Sequence, residues 1–318
     1  MRDMERTNLG RRPAVLCVGQ ATLDHVFTLD SDVAVGHKQR AATACTVGGG
    51  VAANAAVTVA RLGGRATLVS RVGADAAGDS VWRELDEEGV ETDLMRRDPD
   101  RVTPVSAVIV APTGQRTVVN HTSPELFDAG PPALGSGEAD AVLVDGRWPA
   151  GTDAALEFAR DASVPCVVDV DREPPDAQER HALSAGATHL VFGEDALTGW
   201  TGTRCHEDGI RAIADGTDAF VAVTLGERGL AWWDGSCVRH LPAFVVDAVD
   251  TTAAGDVFHG AFAFGLADGM TDADALRFAS AASAVKCTRR GARFGIPSRP
   301  EVESFLASHP TTRAVGGH

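Results

Sequence analysis

Short apolar runs alternate with helix-length segments along most of this 318-residue chain, and this alternation constrains its fold more than any other feature. The first run lies at 13–19, and four similar runs lie at 141–146, 165–171, 189–194 and 219–226. Short apolar runs that end in Gly, Asp or Glu are typical of buried strands. Strands that alternate with helices form mostly parallel sheets covered on both faces. We therefore predict an α/β fold with a doubly wound, mostly parallel sheet.

The segments between these runs carry the pattern expected of helices. The predicted helices lie at 51–62, 79–89, 152–162, 175–185, 254–268, 272–289 and 300–308. A further strand is predicted at 66–73, and a hairpin at 229–244.

Two β-rich segments, about 25–47 and 103–121, do not follow the alternation. The second contains two alternating runs joined by Pro112-Thr113-Gly114, which predicts a hairpin. We expect these segments to form a small separate sheet, such as a lid over the carboxyl edge of the main sheet. The prediction is one domain over 13–309 with both segments inserted, and flexible tails at 1–12 and 310–318.

The charge balance excludes some classes of partner. The chain has 29 basic and 44 acidic residues, a net charge of -15, which disfavours binding to nucleic acid or to a membrane surface. Residues 1–12 are polar and no apolar run is long enough to span a membrane. The six cysteines form no C-x-x-C and the ten histidines no clustered ligand pattern. We expect a reduced, cytoplasmic protein without a structural metal.

One candidate site is the segment from Asp250 to Phe262, in which Ala253, Ala254 and Gly255 precede Asp256 at the start of an apolar helix. Small residues let backbone amides approach a ligand, and amides at a helix N-terminus bind anions. A carboxylate inside such a site fits a general base beside a phosphoryl group. The alternative is an ordinary N-cap aspartate.

A second candidate site begins with Gly48-Gly49-Gly50 and continues into an alanine-rich helix with Asn54. The spacing matches neither a dinucleotide fingerprint nor a P-loop. Asn54, one turn into the helix, suits a sugar hydroxyl. The alternative is a glycine turn followed by an exposed asparagine.

Together these two segments resemble the signatures of the PfkB (ribokinase-like) carbohydrate kinases. Asp24 precedes them and Val223-Thr224-Leu225-Gly226 lies between them, in the order typical of the family. The resemblance implies a doubly wound sheet with a β-sheet lid, and lids of this family often pair in homodimers. It also implies two ligands, ATP and Mg²⁺.

The resemblance implies a role for each matching residue. Asp256 would be the base, and the amides from Ala253 to Asp256 would hold the transferring phosphoryl group. The implied sugar ligands are Asp24, Gly49 and Asn54, and the implied nucleotide site contains Thr224, Gly226, Gly229 and Glu194. Glu194 would also help to hold magnesium through water, although Gly193 and Ala196 depart from the family's pattern around it, as Ala253 departs from the usual glycine.

Within this family, four segments most resemble the kinases of 6-deoxy-6-sulfofructose. They are 36–38, 120–124, 144–148 and 286–297. The resemblance implies that Lys38, Asn120 and Arg147 hold the sulfonate, and two cations with an amide donor suit a permanent anion. Singly, these residues could be a solvated loop lysine, a turn former and a surface ion-pair partner. Lys286, the only other lysine, is interpreted as structural or adenine-side.

The predicted activity is ATP-dependent phosphorylation of the C1 hydroxyl of 6-deoxy-6-sulfofructose, with Asp256 as base. Two alternatives remain within the family, a fructokinase or ketohexokinase and a kinase of a 6-phosphorylated ketose. An alternative of another class is a non-catalytic sugar-binding regulator, which would have no use for a buried base.

Overall fold

The computed structural model of the protein describes residues 11–128, 130–135, 138–172, 183, 185–310 and 315–316. Most of the helix predicted at 175–185, and most of the two predicted tails, lie outside the described residues.

A nine-stranded sheet forms the centre of the molecule. In spatial order its strands are β4 (Arg65–Val69), β1 (Ala14–Val18), β9 (Ala141–Val144), β10 (Cys166–Val170), β11 (His189–Gly193), β12 (Phe220–Thr224), β13 (Leu230–Trp233), β14 (Val238–Leu241) and β15 (Val315–Gly316). The first six are parallel, and the remaining three continue the sheet in antiparallel pairs. Three of the six parallel strands, β1, β9 and β10, are buried along their whole length, because helices cover both faces.

The helices divide between the two faces of this sheet. They are α1 (Val51–Arg61), α2 (Ala76–Glu87), α3 (Pro149–Ala162), α4 (Glu194–Thr201), α5 (His206–Ala214), α6 (Ala254–Ala267), α7 (Asp272–Cys287) and α8 (Arg299–Ser308). Buried side chains of α1, α2, α6, α7 and α8 share one apolar core, and those of α3, α4 and α5 share another. The predicted doubly wound architecture is confirmed. None of the described helices is long and apolar enough to cross a bilayer.

A separate four-stranded sheet corresponds to the two β-rich segments. Its strands are β3 (Thr43–Gly49), β2 (Thr22–Thr28), β7 (Val105–Val110) and β8 (Arg116–His121), in that spatial order. β7 and β8 form the predicted hairpin, and β2 pairs in parallel with β7. Because β2 follows β1 directly and β3 leads into α1, this sheet is attached where β1 ends and α1 begins.

The segment predicted as one strand at 66–73 is two strands. β4 belongs to the main sheet, whereas β5 (Arg71–Gly73) pairs in parallel with β6 (Arg96–Asp98) in a sheet of its own. An apolar pattern predicts that a segment is extended but does not say which strand will be its partner. The short pairing of β15 with β14 lies within the predicted C-terminal tail.

Candidate active site

The N-terminus of α6 presents backbone donors to open space. Ala253 is the N-cap, and its φ of 63° turns the chain into the helix. The amide of Ala254 donates to the carbonyl oxygen of Thr251 at 3.2 Å, whereas the amides of Ala253, Gly255 and Asp256 have no acceptor among the described residues. A Cβ built on Gly255 would meet nothing within 4 Å. This end of α6 can therefore hold an anion.

Asp256, in the first turn of α6, lies within a chain of hydrogen bonds. Asn54 Nδ2 donates to Asp256 Oδ2 at 2.6 Å, and Arg293 Nε donates to Asn54 Oδ1 at 3.0 Å. Arg293 is buried, and its Nη2 donates to the carbonyl oxygen of Gly49 at 3.1 Å. The arginine therefore fixes which end of the Asn54 amide faces Asp256, and the two predicted sites meet here.

Close packing of α1 against α6 allows this contact. A Cβ on Gly260 of α6 would lie 2.6 Å from the carbonyl oxygen of Ala55 and 2.9 Å from its Cα. Only glycine permits helix axes to approach so closely, and Ala55 is the neighbour of Asn54. The small residues of both helices thus bring Asn54 to Asp256.

The triple glycine before α1 packs beneath polar side chains of the site. A Cβ on Gly49 would lie 2.1 Å from Asp24 Oδ2, so the carboxylate lies directly against the Gly49 backbone. Asp24 is in β2, and its Oδ1 accepts a hydrogen bond from Thr22 Oγ1 at 2.8 Å. The structure thus brings together Asp24, Gly49, Asn54 and Asp256.

The electrostatic environment of Asp256 suits a base. Burial raises the pKa of Asp256 to about 6, the hydrogen bond from Asn54 opposes that rise, and Asp169 and Asp171 reinforce it. His259 Nδ1, one turn further along α6, lies 3.0 Å from Asp169 Oδ2. Burial alone would lower the pKa of His259, but Asp169 outweighs it and the pKa is raised.

Arg147 lies just beyond β9 at the edge of this acidic cluster. Its guanidinium is ion-paired with Asp171, and its amide donates to Asp145 Oδ1 at 3.0 Å. Burial would lower the pKa of Arg147, but Asp171, Asp145, Asp169 and Asp256 together raise it. Its Nε is buried and has no hydrogen-bond partner among the described residues. Arg147 is thus charged, close to Asp256, and has a donor to spare.

Asn120 and Lys38 occupy different environments. Asn120 in β8 lies opposite Ser106 in β7, and Ser106 lies opposite Asp24 in β2. All three side chains therefore lie on one face of the small sheet. Its Nδ2 donates to Ser106 Oγ at 3.1 Å, and its Oδ1 accepts from Thr122 Oγ1 at 2.8 Å. Lys38 is exposed in the connection between β2 and β3 and makes no hydrogen bond or ion pair with a described residue. Lys38 therefore makes no contact with Asn120 or Arg147, the other two predicted sulfonate ligands.

The residues predicted for the nucleotide lie near the ends of β11 and β12. Thr224 Oγ1 donates to the carbonyl oxygen of Phe192 at 3.2 Å. Gly226 and Gly229 bound a single 3₁₀ turn with φ values of 59° and 91°. Glu194 begins α4 and is ion-paired with the exposed Arg228. These four residues lie along the carboxyl edge of the sheet, where parallel α/β sheets bind ligands.

Several polar groups of this site were not predicted from the sequence. They are Glu84, whose Oε2 accepts a hydrogen bond from the Gly48 amide at 2.6 Å, and Asp145, Asp169, Asp171, His259 and Arg293. All but His259 are remote in the chain from the motif they support. Two carry a local signal, because Asp169 interrupts an apolar strand and His259 interrupts a helix that is apolar beyond its first turn. Polar residues that interrupt buried elements need partners there.

Comparison with known proteins supports the same family as the motifs. The sequence matches the pfkB family carbohydrate kinase description over residues 12–299. A ribokinase from Bacillus subtilis is 30% identical over 306 residues, which cover 92% of this chain and 99% of that protein. A solved structure of an Agrobacterium tumefaciens protein has a TM-score of 0.88 at 36% identity, covering 94% of this chain and 98% of that one.

The structure of Arabidopsis thaliana ribokinase complexed with ribose and ATP has a TM-score of 0.77 at 26% identity, covering 93% of this chain and 99% of that one. The resemblance predicted from the two glycine-containing motifs is therefore confirmed, and the chain belongs to the pfkB family of carbohydrate kinases.

Proposed function

We propose that this kinase transfers the γ-phosphoryl group of ATP to the C1 hydroxyl of 6-deoxy-6-sulfofructose. The observation that carries the phosphotransfer chemistry is the placement of Asp256 among free amides at the start of α6, with Asn54 bound to it at 2.6 Å. A base with a pKa of about 6 is ionised at neutral pH and still basic enough to accept a hydroxyl proton.

The residues of the site divide the chemistry among them. Asp24 and Asn54 orient the sugar, so that the attacking hydroxyl lies against Asp256. Asp256 accepts the hydroxyl proton as the oxygen attacks phosphorus, and the amides of Gly255 and Asp256 stabilise the charge on the phosphoryl oxygens. Bound ATP and Mg²⁺ supply the phosphoryl group and neutralise its charge. Glu194, Thr224, Gly226 and Gly229 would hold them at the carboxyl edge of the sheet.

Arg147 and Asn120 support an anionic group on the sugar. Arg147 has a buried, unpartnered Nε among the described residues and lies within electrostatic reach of Asp256. Asn120 shares a sheet face with Asp24, the proposed sugar ligand. A sulfonate has three acceptor oxygens and stays charged at every physiological pH, so it can use both donors. Lys38 would join them by movement of the exposed β2–β3 connection.

Ribose is the second candidate substrate. It is favoured by the names of the relatives, several of which are ribokinases. Ribose carries no anion, so it gives no role to the spare donor of Arg147. A 6-phosphorylated ketose would use Arg147 and Asn120 as a sulfonate does, and fructose would use neither.

Initial-rate assays of ADP release test the proposal with sulfofructose, fructose, fructose 6-phosphate and ribose, each with the wild type and Asp256→Asn. We expect sulfofructose to have the highest kcat/KM and Asp256→Asn to lose at least about 1,000-fold in kcat. If the wild type phosphorylated none of the sugars, the protein would be better interpreted as a sugar-binding regulator. Equal turnover of fructose and sulfofructose would remove the sulfonate assignment and leave the kinase intact.

Variants of the anion site refine the test. Arg147→Ala and Lys38→Ala should each raise the KM for sulfofructose by about tenfold or more, and leave the KM for ATP and for fructose unchanged. Fructose is the matched control, because it differs only in carrying a neutral hydroxyl at C6 in place of the sulfonate. An unchanged KM for sulfofructose in both variants would contradict the assigned pocket.

We place the homodimer contact on the small sheet. Two apolar side chains on the face opposite to Asp24 and Asn120 are unusually exposed, Phe27 at 39% and Val119 at 65%. A second copy of the chain would cover them, and Val119→Glu should then lower the mass measured by light scattering from dimer to monomer.

All six cysteines are free, which fits the cytoplasm as the site of action.

A further inference from the structure

Lys286 is a fully buried cation beneath the segment that leads to Asp256. It lies in the last turn of α7, and no part of it is exposed. Its Nζ donates to the carbonyl oxygen of Asp250 at 2.7 Å and lies 3.6 Å from Asp250 Oδ1. A buried ammonium is costly unless it is paired, so this pairing must be maintained in the folded protein.

Asp250 connects two segments near Lys286, the turn before α6 and the chain that follows α7. Its Oδ1 accepts the amide of Thr252 at 2.8 Å, and its Oδ2 accepts the amides of Gly291 at 2.9 Å and Ala292 at 3.3 Å. The amide of Asp250 donates to the carbonyl oxygen of Cys287 at 3.2 Å. The carboxylate therefore connects the beginning of the 250–255 turn to the chain that follows α7, and Lys286 holds the carboxylate.

Gly295 lies beside the end of the Lys286 side chain. A Cβ built on Gly295 would lie 3.4 Å from Lys286 Cε, which is an ordinary van der Waals contact. The chain has 27 arginines and only two lysines, so a compact point charge is the distinguishing property of the residue at this position.

We propose that Lys286 is a positioning residue for phosphoryl transfer. Its ammonium fixes Asp250, and Asp250 fixes the turn that leads into α6, where the free amides of Ala253, Gly255 and Asp256 would receive the phosphoryl group. The proposal rests on the role given to that turn under the proposed function. A small displacement of oriented amides costs much of their effect, because the stabilisation depends on geometry at the moment of transfer.

Lys286→Met tests the proposal, because methionine keeps most of the volume and removes the charge. We expect a folded variant that loses at least about 30-fold in kcat, with the KM for the sugar changed by less than about threefold. Ser283→Ala is the matched control, because Ser283 Oγ also joins α7 to the turn, donating to the carbonyl oxygen of Ala254 at 2.9 Å. That variant should lose less than about threefold in kcat.

Asp250→Asn keeps the test decisive if Lys286→Met does not fold. It retains the carbonyl that Lys286 contacts and removes the anion, and we expect a similar loss of kcat. Wild-type kcat in either folded variant, or an equal loss in Ser283→Ala, would overturn the proposal. An active Asp256→Asn would instead refute the base of the proposed function and leave the role of Lys286 untouched, so the two failures are distinguishable.

Three potential metal ligands lie together beside β14 of the main sheet. His206 and Glu207 begin α5, and His240 lies in β14. Glu207 Oε1 is 3.4 Å from His240 Nε2, and one ligand atom from each of the three residues lies within 4.8 Å of the others. His206 Nε2 is buried and has no hydrogen-bond partner among the described residues.

We infer that these three side chains form a binding site for Zn²⁺ or a similar divalent transition metal. Tetrahedral zinc with bonds of about 2.0–2.1 Å separates its ligand atoms by roughly 3.3 Å, which the Glu207–His240 pair nearly matches. Coordination of the metal by His206 would also give a partner to its buried ring nitrogen. Imidazole and carboxylate together suit zinc better than magnesium or calcium.

Titration calorimetry of chelator-treated protein with ZnCl₂, without nucleotide, tests this site. We expect one equivalent to bind with a Kd of about 10 µM or tighter, and to raise the Tm. His206→Gln and His240→Gln should each weaken binding by at least about tenfold, while His25→Gln, an exposed histidine of the small sheet, should not. Absence of binding in the wild type, or unchanged binding in both variants, would overturn the inference.

Discussion

The hydrogen bond from Asn54 to Asp256 should set the pH at which the kinase becomes active. Asn54→Leu removes the donor and keeps the volume, and leucine gives water no polar group to bind there. Among the described residues, the carboxylate then loses the one neighbour that stabilises its charge by a hydrogen bond, while burial and the nearby Asp169 remain. The pKa of Asp256 must therefore rise above its value of about 6.

The size of the shift follows from the strength of the bond. A hydrogen bond to a charged group is worth about 1.5–3 kcal/mol, which corresponds to about one to two pKa units. The pKa would rise to about 7–8. At about pH 7 the ionised fraction would fall from about nine-tenths to between a half and a tenth. The loss of kcat/KM from ionisation alone is thus about two- to tenfold at that pH, and it disappears by about pH 9.5.

A profile of kcat/KM from about pH 5 to pH 9.5, measured by coupled detection of ADP, separates the pKa change from weaker sugar binding. The informative part is the acid limb, where kcat/KM falls as Asp256 becomes protonated. Weaker binding lowers the whole profile by one factor, whereas the pKa change moves the limb. Thr58→Val is the control, because Thr58 Oγ1 donates to the backbone of Asn54 at 2.8 Å without touching Asp256. An acid limb at the same pH in wild type and Asn54→Leu would refute the reasoning.

Three further predictions concern stability. The folded pKa of Asp256, about 6, exceeds the unfolded value of 3.8, so ionisation of this carboxyl lowers the free energy of unfolding. This loss is absent below about pH 4 and complete above about pH 6. Asp256→Asn should therefore gain up to about 3 kcal/mol in urea unfolding at about pH 8 and nothing at about pH 4. Ala253→Gly should gain about 1 kcal/mol, because alanine at φ 63° is strained, and equal or lower stability would contradict this. Gly260→Ala should lower the free energy of unfolding by about 1–3 kcal/mol, because α1 and α6 must move apart. An unchanged Tm would show that the two helices separate without an energetic cost.

Much of the fold follows from local patterns in the sequence. Apolar runs such as 165–171, which end in acidic residues or glycine, mark strands buried on both faces. The Pro112-Thr113-Gly114 turn marks the hairpin of the small sheet. The division of 66–73 between two sheets does not follow, because the choice of partner is decided by residues far away in the chain.

The candidate site was predictable only in its motifs. Gly49, Asn54 and Asp256 stand out because small residues surround a polar one. Arg293, which orients Asn54, is 239 residues away from it, and nothing in its own segment indicates that its side chain will be buried. Long-range contacts of this kind arise from the packing of whole helices, which a local pattern does not contain.

We propose that this kinase selects a ketose by an anion at C6, and one competition experiment tests this selection most directly. The wild-type enzyme is given sulfofructose, fructose and ribose in equal amounts with limiting ATP and Mg²⁺, and the phosphorylated products are identified by ³¹P NMR and mass spectrometry. We predict that 6-deoxy-6-sulfofructose 1-phosphate forms in excess of the other products by at least about 100-fold. A mixture dominated by ribose phosphate or fructose phosphate would contradict the account.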